Sequence, residues 1–155
     1  MSPTPEFITH LMNEALVEAA KAAACGEVPV GAVISHKQTI IGRGHNRTES
    51  EKTVASHAEI IAINAASKQL NNWRLSDCIL CVTLEPCTMC LGAIRLARIP
   101  TLVFGAGDSR QGAVGSLYDL SQDERLGPTP RVIRGISLQK CEDILTTFFK
   151  QMRSS

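Results

Sequence analysis

Four side chains in this sequence have the types and spacing to hold a metal ion and move a proton: His57, Glu59, Cys87 and Cys90. Cys87 and Cys90 form a C-x-x-C pair behind Pro86, and His57 stands two residues ahead of Glu59. Thiolate and imidazole are zinc ligands. Three protein ligands with a fourth position open to water are the arrangement of catalytic rather than structural zinc. Glu59 is expected not to be a fourth ligand but the proton shuttle. It would take a proton from zinc-activated water and pass protons to a substrate ring and its leaving group. These are the parts that a hydrolytic deamination needs. A C-x-x-C by itself also reads as a structural metal clip or a redox pair, and a lone His-x-Glu carries no weight. The combination carries the reading.

The elements must bring both motifs to one place. In the first turn of a helix, residues i and i+3 share a face, and the helix dipole and open N–H groups favour thiolates there. The sequence predicts one helix over 87–98 and another over 56–69, with Ser56 as the cap of the second. Residues 78–84 are almost wholly apolar and β-favouring, the pattern of a strand buried on both faces, and Pro86 stops it. Upstream, Thr4 caps and Pro5 opens a helix whose apolar stripe runs from Ile8 to Ala19 and which Gly26 closes. Strands over 28–35 and 39–45 form an antiparallel hairpin through the polar connection 35–38. Gly31, Gly42 and Gly44 inside them mark either a close backbone or ligand approach or a bulge. Residues 48–55 read as a loop, 101–104 as a strand, 105–116 as a glycine-rich functional loop, 127–130 as a turn and 132–136 as the last strand. Ser137 then caps a helix with the stripe Leu138, Cys141, Ile144, Leu145, Phe148 and Met152. The order implies an α/β fold: a three-layer α/β/α sandwich on a central five-stranded mixed sheet, one domain over 1–155.

The 155 residues are 44% hydrophobic and 20% charged, which suits a packed domain and excludes a disordered tail. A net charge of +1 argues against indiscriminate nucleic-acid binding and leaves a local basic patch or a specific pocket. Residues 1–6 lack a signal-peptide pattern, and Glu18 and Lys21 interrupt the alanine-rich run 15–24, so no membrane span is expected. A cytoplasmic protein follows, whose 6 cysteines are thiols or ligands rather than disulfides. Cys78 and Cys81 are a decoy C-x-x-C, because residues three apart on a strand face opposite ways. Cys25 and Cys141 read as core packing, and His10 and His36 as surface residues. Met89, Leu91, Ile94 and Leu96 suit either a core or a dimer face.

His57-Ala-Glu59 followed by Pro86-Cys-x-x-Cys90 resembles the signature of the cytidine and nucleotide deaminase superfamily. Five further stretches, in order along the chain, are similar to the bacterial tRNA-specific adenosine deaminases. They are Val28-Pro-Val-Gly-Ala-Val33, Gly44-x-Asn46, Val82-Thr-Leu-Glu-Pro-Cys87, Phe104-Gly-Ala-x-Asp108 with Gly112-Ala-x-Gly-Ser-Leu117, and Phe148-Phe-Lys-Gln-Met-Arg153. The resemblance implies a cytidine deaminase-like fold and hydrolysis of the wobble adenosine in a tRNA anticodon to inosine, by a homodimer with one zinc per chain. It implies His57, Cys87 and Cys90 as zinc ligands and Glu59 as proton donor and acceptor. Asn46 would hydrogen-bond the flipped nucleoside, Val30 would line the base pocket, and backbone at Ala58 and Leu84 would read polar edges. Without the resemblance, Val30 and Leu84 are core residues and Asn46 a turn residue. Splayed loop bases are the RNA that proteins read in this way.

Asp108 is placed to accept a ribose 2′-hydroxyl or, equally, to cap its loop. Arg95, Arg98, Arg110, Lys150 and Arg153 form either a phosphate-contacting rim or ordinary solvated faces. Two positions depart from the branch's pattern: Gly107, where a basic residue is common, and His45, where a larger aromatic ring is frequent. The rival readings are a guanine or cytosine deaminase of the same fold, and a catalytically silent zinc-folded partner subunit.

Overall fold

Residues 2–154 are described by the computed structural model. Helix α1 (Pro5–Ala24) begins as its sequence dictates: Thr4 Oγ1 accepts the Phe7 N–H at 3.1 Å, and Pro5 occupies the first turn, where its missing N–H costs nothing. It ends in a left-handed Gly26, φ 76°. Cys25, expected in the core, is instead the exposed C-cap, because the apolar stripe of α1 has already ended at Ala22.

Strands β1 (Gly31–His36) and β2 (Thr39–His45) pair antiparallel through a two-residue turn, with a register shift between Ile34 and Ser35. Residues 28–30 are not part of the strand. Pro29 has no N–H to give a ladder, and the Val30 N–H folds back onto the Val28 carbonyl at 2.9 Å. The strand glycines mark close helix approach. A Cβ on Gly31 would lie 2.0 Å from the Ala15 carbonyl oxygen, and one on Gly44 2.3 Å from that of Ala58.

The expected loop 48–55 contains a short helix, α2 (Thr48–Glu51). Glu27, buried and distant in sequence, accepts the N–H groups of Glu49 and Ser50 at 3.1 and 2.6 Å. Such a cap across the chain leaves no local pattern. Helix α3 (Ala58–Leu70), strand β3 (Cys78–Leu84), helix α4 (Thr88–Leu96), strand β4 (Thr101–Ala106), strand β5 (Arg131–Arg134) and helix α5 (Leu138–Ser154) follow. Ser137 sits at φ 52°, not in the extended conformation of the capping residue it was expected to be.

The sheet order is β2-β1-β3-β4-β5, antiparallel across β2/β1/β3 and parallel across β3/β4/β5, so the five-stranded mixed sheet is as expected. One core layer packs Ala32, Ile34, Leu80 and Val82 against Ala58, Ala62 and Ala66 of α3 and Leu91 and Ile94 of α4. The other packs Val33, Cys81 and Val103 against Leu11, Met12 and Ala15 of α1 and Cys141 of α5. Cys78 and Cys81 thus enter opposite layers, as strand geometry requires. No helix among the described residues is long and apolar enough to cross a membrane.

Val30 precedes β1, Asn46 follows β2, Leu84 ends β3 and Asp108 follows β4. The strand directions bring all four to one end of the sheet, where α3 and α4 begin. In α/β sheets this is where ligands bind.

Candidate active site

His57 and Cys87 are themselves the N-cap residues of α3 and α4, and neither side chain caps its helix. Ser56, expected as the α3 cap, gives its hydroxyl to Glu51 and its carbonyl to the Arg47 N–H instead. Serine, threonine, asparagine and aspartate are the usual caps. Imidazole and thiol at these positions leave helix N–H groups unserved and point the side chains beyond the helix ends. The two ends meet: His57 Nδ1 lies 3.6 Å from Cys87 Sγ and 3.4 Å from Cys90 Sγ. Tetrahedral zinc with ordinary Zn–N and Zn–S lengths separates imidazole nitrogen from thiolate sulfur by about 3.6 Å. The three donors therefore fit a tetrahedral metal without rearrangement, and they are a group of His, Cys, Asp or Glu side chains, among the described residues, close enough to share an ion. Cys87 is held well below the ordinary thiol pKa by the Cys90 thiol that donates to it and by the adjacent His57. Cys90, the donor, is pushed up.

Glu59 is buried in the first turn of α3, beside this cluster but outside the ligand group. Burial pushes its carboxyl up to about 7, against the smaller opposing pull of its own backbone N–H and of His57. It faces a cavity of about 390 Å³ that also reaches His57 and Cys87. The cavity wall contains all five residues expected to bind substrate: Val30, Asn46, Ala58, Leu84 and Asp108. Asn46 also does turn work. Its Oδ1 accepts the Thr48 N–H and hydroxyl, which fixes the amide and aims Nδ2 at the Val28 carbonyl, 3.3 Å away. Asp108 caps its loop, its Oδ1 accepting the N–H groups of Arg110 and Gln111 at 3.0 and 3.2 Å.

Three wall residues escaped the sequence reading: Val28, Gln111 and Glu85. Glu85 is buried, and its carboxylate accepts the N–H groups of Asp108, Val114 and Ser116 at 3.0, 2.8 and 3.1 Å, together with the Ser116 hydroxyl. Burial alone would raise its pKa, but those donors outweigh it and hold the carboxyl below the usual range. The available signal was an acid between an apolar strand and the proline ahead of Cys87, facing a glycine-rich segment.

Of the expected basic rim, Arg95 is overturned. It is buried, and its guanidinium serves the carbonyls of Leu120, Asp123, Gly127 and Pro128, pinning the 120–128 segment to α4. Arg98, Arg110, Lys150 and Arg153 are exposed. Arg110 and Arg153 line a second groove with Phe149, and this groove shares Val28, Leu84, Asp108 and Gln111 with the first cavity. His45 is half-buried, its Nδ1 3.5 Å from the carboxylate of Glu18.

Comparison with known proteins agrees with this geometry. Residues 8–153 match the MafB19-like deaminase family. The tRNA-specific adenosine deaminase of Streptococcus pyogenes serotype M1 is 48% identical over 145 residues, covering 94% of this chain and 85% of its own. That of Bacillus subtilis (strain 168) is 44% identical over 142 residues, covering 92% and 88%. A structure from a study of A-to-I editing by tRNA:A34 deaminases superposes with a TM-score of 0.83 at 41% identity, covering 88% of this chain and 99% of that one. A cytidine deaminase-like sandwich, a His/Cys/Cys cluster fit for a metal and relatives matched over almost their whole length converge: the chain belongs to the tRNA-specific adenosine deaminase family.

Proposed function

We propose that this protein hydrolyses the wobble adenosine of a tRNA anticodon to inosine, with one zinc ion held by His57, Cys87 and Cys90 and with Glu59 as the acid–base group. The observation that carries this reading is the placement of a buried Glu59 beside a ligand trio of tetrahedral dimensions, in a cavity of about 390 Å³ with room for a nucleoside. Zinc at that trio would act as a Lewis acid that makes water nucleophilic near neutral pH.

The chain's own groups do the rest. Glu59 takes a proton from the attacking water as its oxygen bonds to C6 of adenine. It delivers that proton to N1, then shuttles a second to the exocyclic nitrogen, so that the C6–N bond breaks and ammonia leaves. A buried carboxyl beside the ligand trio is placed both to accept and to return a proton. Val30 and Leu84 would flank the flipped base, and Ala58 at the open end of α3 offers an N–H to a ring acceptor. Asn46 presents Nδ2 as its donor, because Oδ1 is already occupied. Asp108 would accept a 2′-hydroxyl on Oδ2, since Oδ1 serves the loop.

The groove with Arg110, Phe149 and Arg153 supports an RNA strand rather than a free base, because it continues the cavity with cations and an aromatic face. Exposed Met89 and Leu96 on α4, with exposed Leu117 and Tyr118, whose hydroxyl bonds Thr88 at the start of α4, support a homodimer face. We treat 1–155 as one deaminase domain and place it in the cytoplasm with its tRNA substrate. Glu59 counts against a silent partner subunit, which would have no use for a buried acid at the ligands.

The test is product formation by zinc-loaded protein from an anticodon stem–loop carrying a wobble adenosine, beside free adenosine, adenine, guanine, cytosine and cytidine. Inosine from the stem–loop alone supports the proposal. Product from a free base alone would move the function to a nucleobase deaminase of the same fold.

A further inference from the structure

The metal cluster and Glu59 leave one buried acid of the cavity wall without a chemical task. We propose that Glu85 is a positioning residue for the deamination proposed above: it sets the conformation of the 107–116 loop and so places Asp108 and Gln111 against the bound nucleotide. The inference rests on that functional reading for its substrate.

The geometry leaves Glu85 little freedom for anything else. Its Oε1 takes the Asp108 N–H and the Ser116 hydroxyl, and its Oε2 takes the Val114 and Ser116 N–H groups. Four donors saturate a carboxylate, so Glu85 is not a second acid–base group. The loop is shaped around it. A Cβ on Gly112 would lie 2.4 Å from the Glu85 carboxyl carbon and 2.5 Å from each of its oxygens, so only glycine lets the loop close over the acid. The same loop is stitched to the ligand end of α4, because the Ala113 N–H donates to the Pro86 carbonyl at 2.9 Å and Gly112 bridges to Cys87. One carboxylate thereby ties the substrate-facing Asp108 to the strand end that carries Leu84. Glutamine is not conservative here. Whichever way its amide turned, an NH₂ group would face two donors.

The experiment uses full-length zinc-loaded protein: wild type, E85Q, D108A and E85Q/D108A, with steady-state kinetics on the anticodon stem–loop, zinc content, and the rate of tryptic cleavage after Arg110. E85Q is expected to raise KM about tenfold or more with a smaller change in kcat. It should keep one zinc per chain, and it should open the Arg110 bond to trypsin. The double variant should lose much less than the product of the two single losses, because both changes remove the Asp108 contact and E85Q adds only that of Gln111. An E85Q variant with wild-type KM, one that loses zinc, or a double variant whose losses multiply overturns the proposal. If E85Q does not fold, S116A decides it, since that change removes one donor only and should shift KM and Arg110 cleavage the same way by less. If the wild type yields no inosine from the stem–loop, the functional reading fails. Tryptic cleavage then still judges the loop: equal rates in wild type and E85Q overturn Glu85 as its holder.

Discussion

Glu59 and Glu85 line one cavity and are 4% and 3% exposed, yet they lie on opposite sides of the ordinary carboxylate pKa. Solvent exposure does not separate them; the depth at which each carboxyl is packed and the count of donors it receives do. Glu59 gains only its own backbone N–H and a hydrogen bond with Cys90 beside a large desolvation, and its carboxyl rises to about 7. Glu85 collects three backbone N–H groups and a serine hydroxyl, and its carboxyl falls. Divergent environments for two nearby titratable groups support the two proposed roles, proton transfer for Glu59 and positioning for Glu85.

The largest effect expected is loss of the metal. His57→Ala should abolish turnover and zinc binding together while leaving Arg110 as resistant to trypsin as in the wild type, which separates the ligand trio from the Glu85 loop. Zinc analysis and cleavage rates check this, and a joint loss would merge the two regions into one folding unit. Next comes Glu59→Gln. Zinc and fold should persist while inosine formation falls by about 10²–10⁴-fold. A near-normal rate would remove Glu59 from the chemistry and erase the contrast with Glu85.

Stability should show the same two residues with opposite signs, on the order of 1–3 kcal/mol each, in urea melts of the metal-free protein. The raised Glu59 carboxyl disfavours folding once the unfolded chain ionises, so the penalty starts above about 4.5 and is complete above about 7. Glu59→Gln should therefore stabilise at pH 8 and be neutral near pH 4. The depressed Glu85 carboxyl contributes stability that is present above about 4.5 and lost as pH falls through its folded value. Glu85→Gln should destabilise at pH 8, with the gap closing in acid. Two changes of the same sign at pH 8 would contradict the comparison. The smallest effect is expected at Cys78→Ala, which touches neither glutamate and should keep zinc content and turnover within about twofold, as for a small core change.

The cluster of His57, Cys87 and Cys90, which could hold a metal, was legible because its parts are local: two short motifs, each opening a helix, with a buried strand before the second. The decoy pair Cys78 and Cys81 was legible for the same reason, since the period of a strand settles which way each faces. Side-chain tasks that depend on distant partners were not. Even a near partner can mislead, since Ser56 reads as a cap until Glu51, five residues before it, takes its hydroxyl. Arg95 reads as a surface cation until four carbonyls from 120–128 surround it. Residues 48–55 read as a loop until Glu27 caps a helical turn inside them.

By itself the sequence determined which residues could hold a metal, and the order of elements that makes a mixed sheet between two helical layers. These rest on residue chemistry and on periodicities of a few residues. Tertiary structure decided the rest. It set which histidine nitrogen meets the thiols and how near, which glutamate is left almost donorless and which is saturated, and which cations reach the groove. Those properties depend on desolvation and on hydrogen-bond partners 20 or more residues away, such as the 23 to 31 that separate Glu85 from its donors. No local pattern in a chain encodes them.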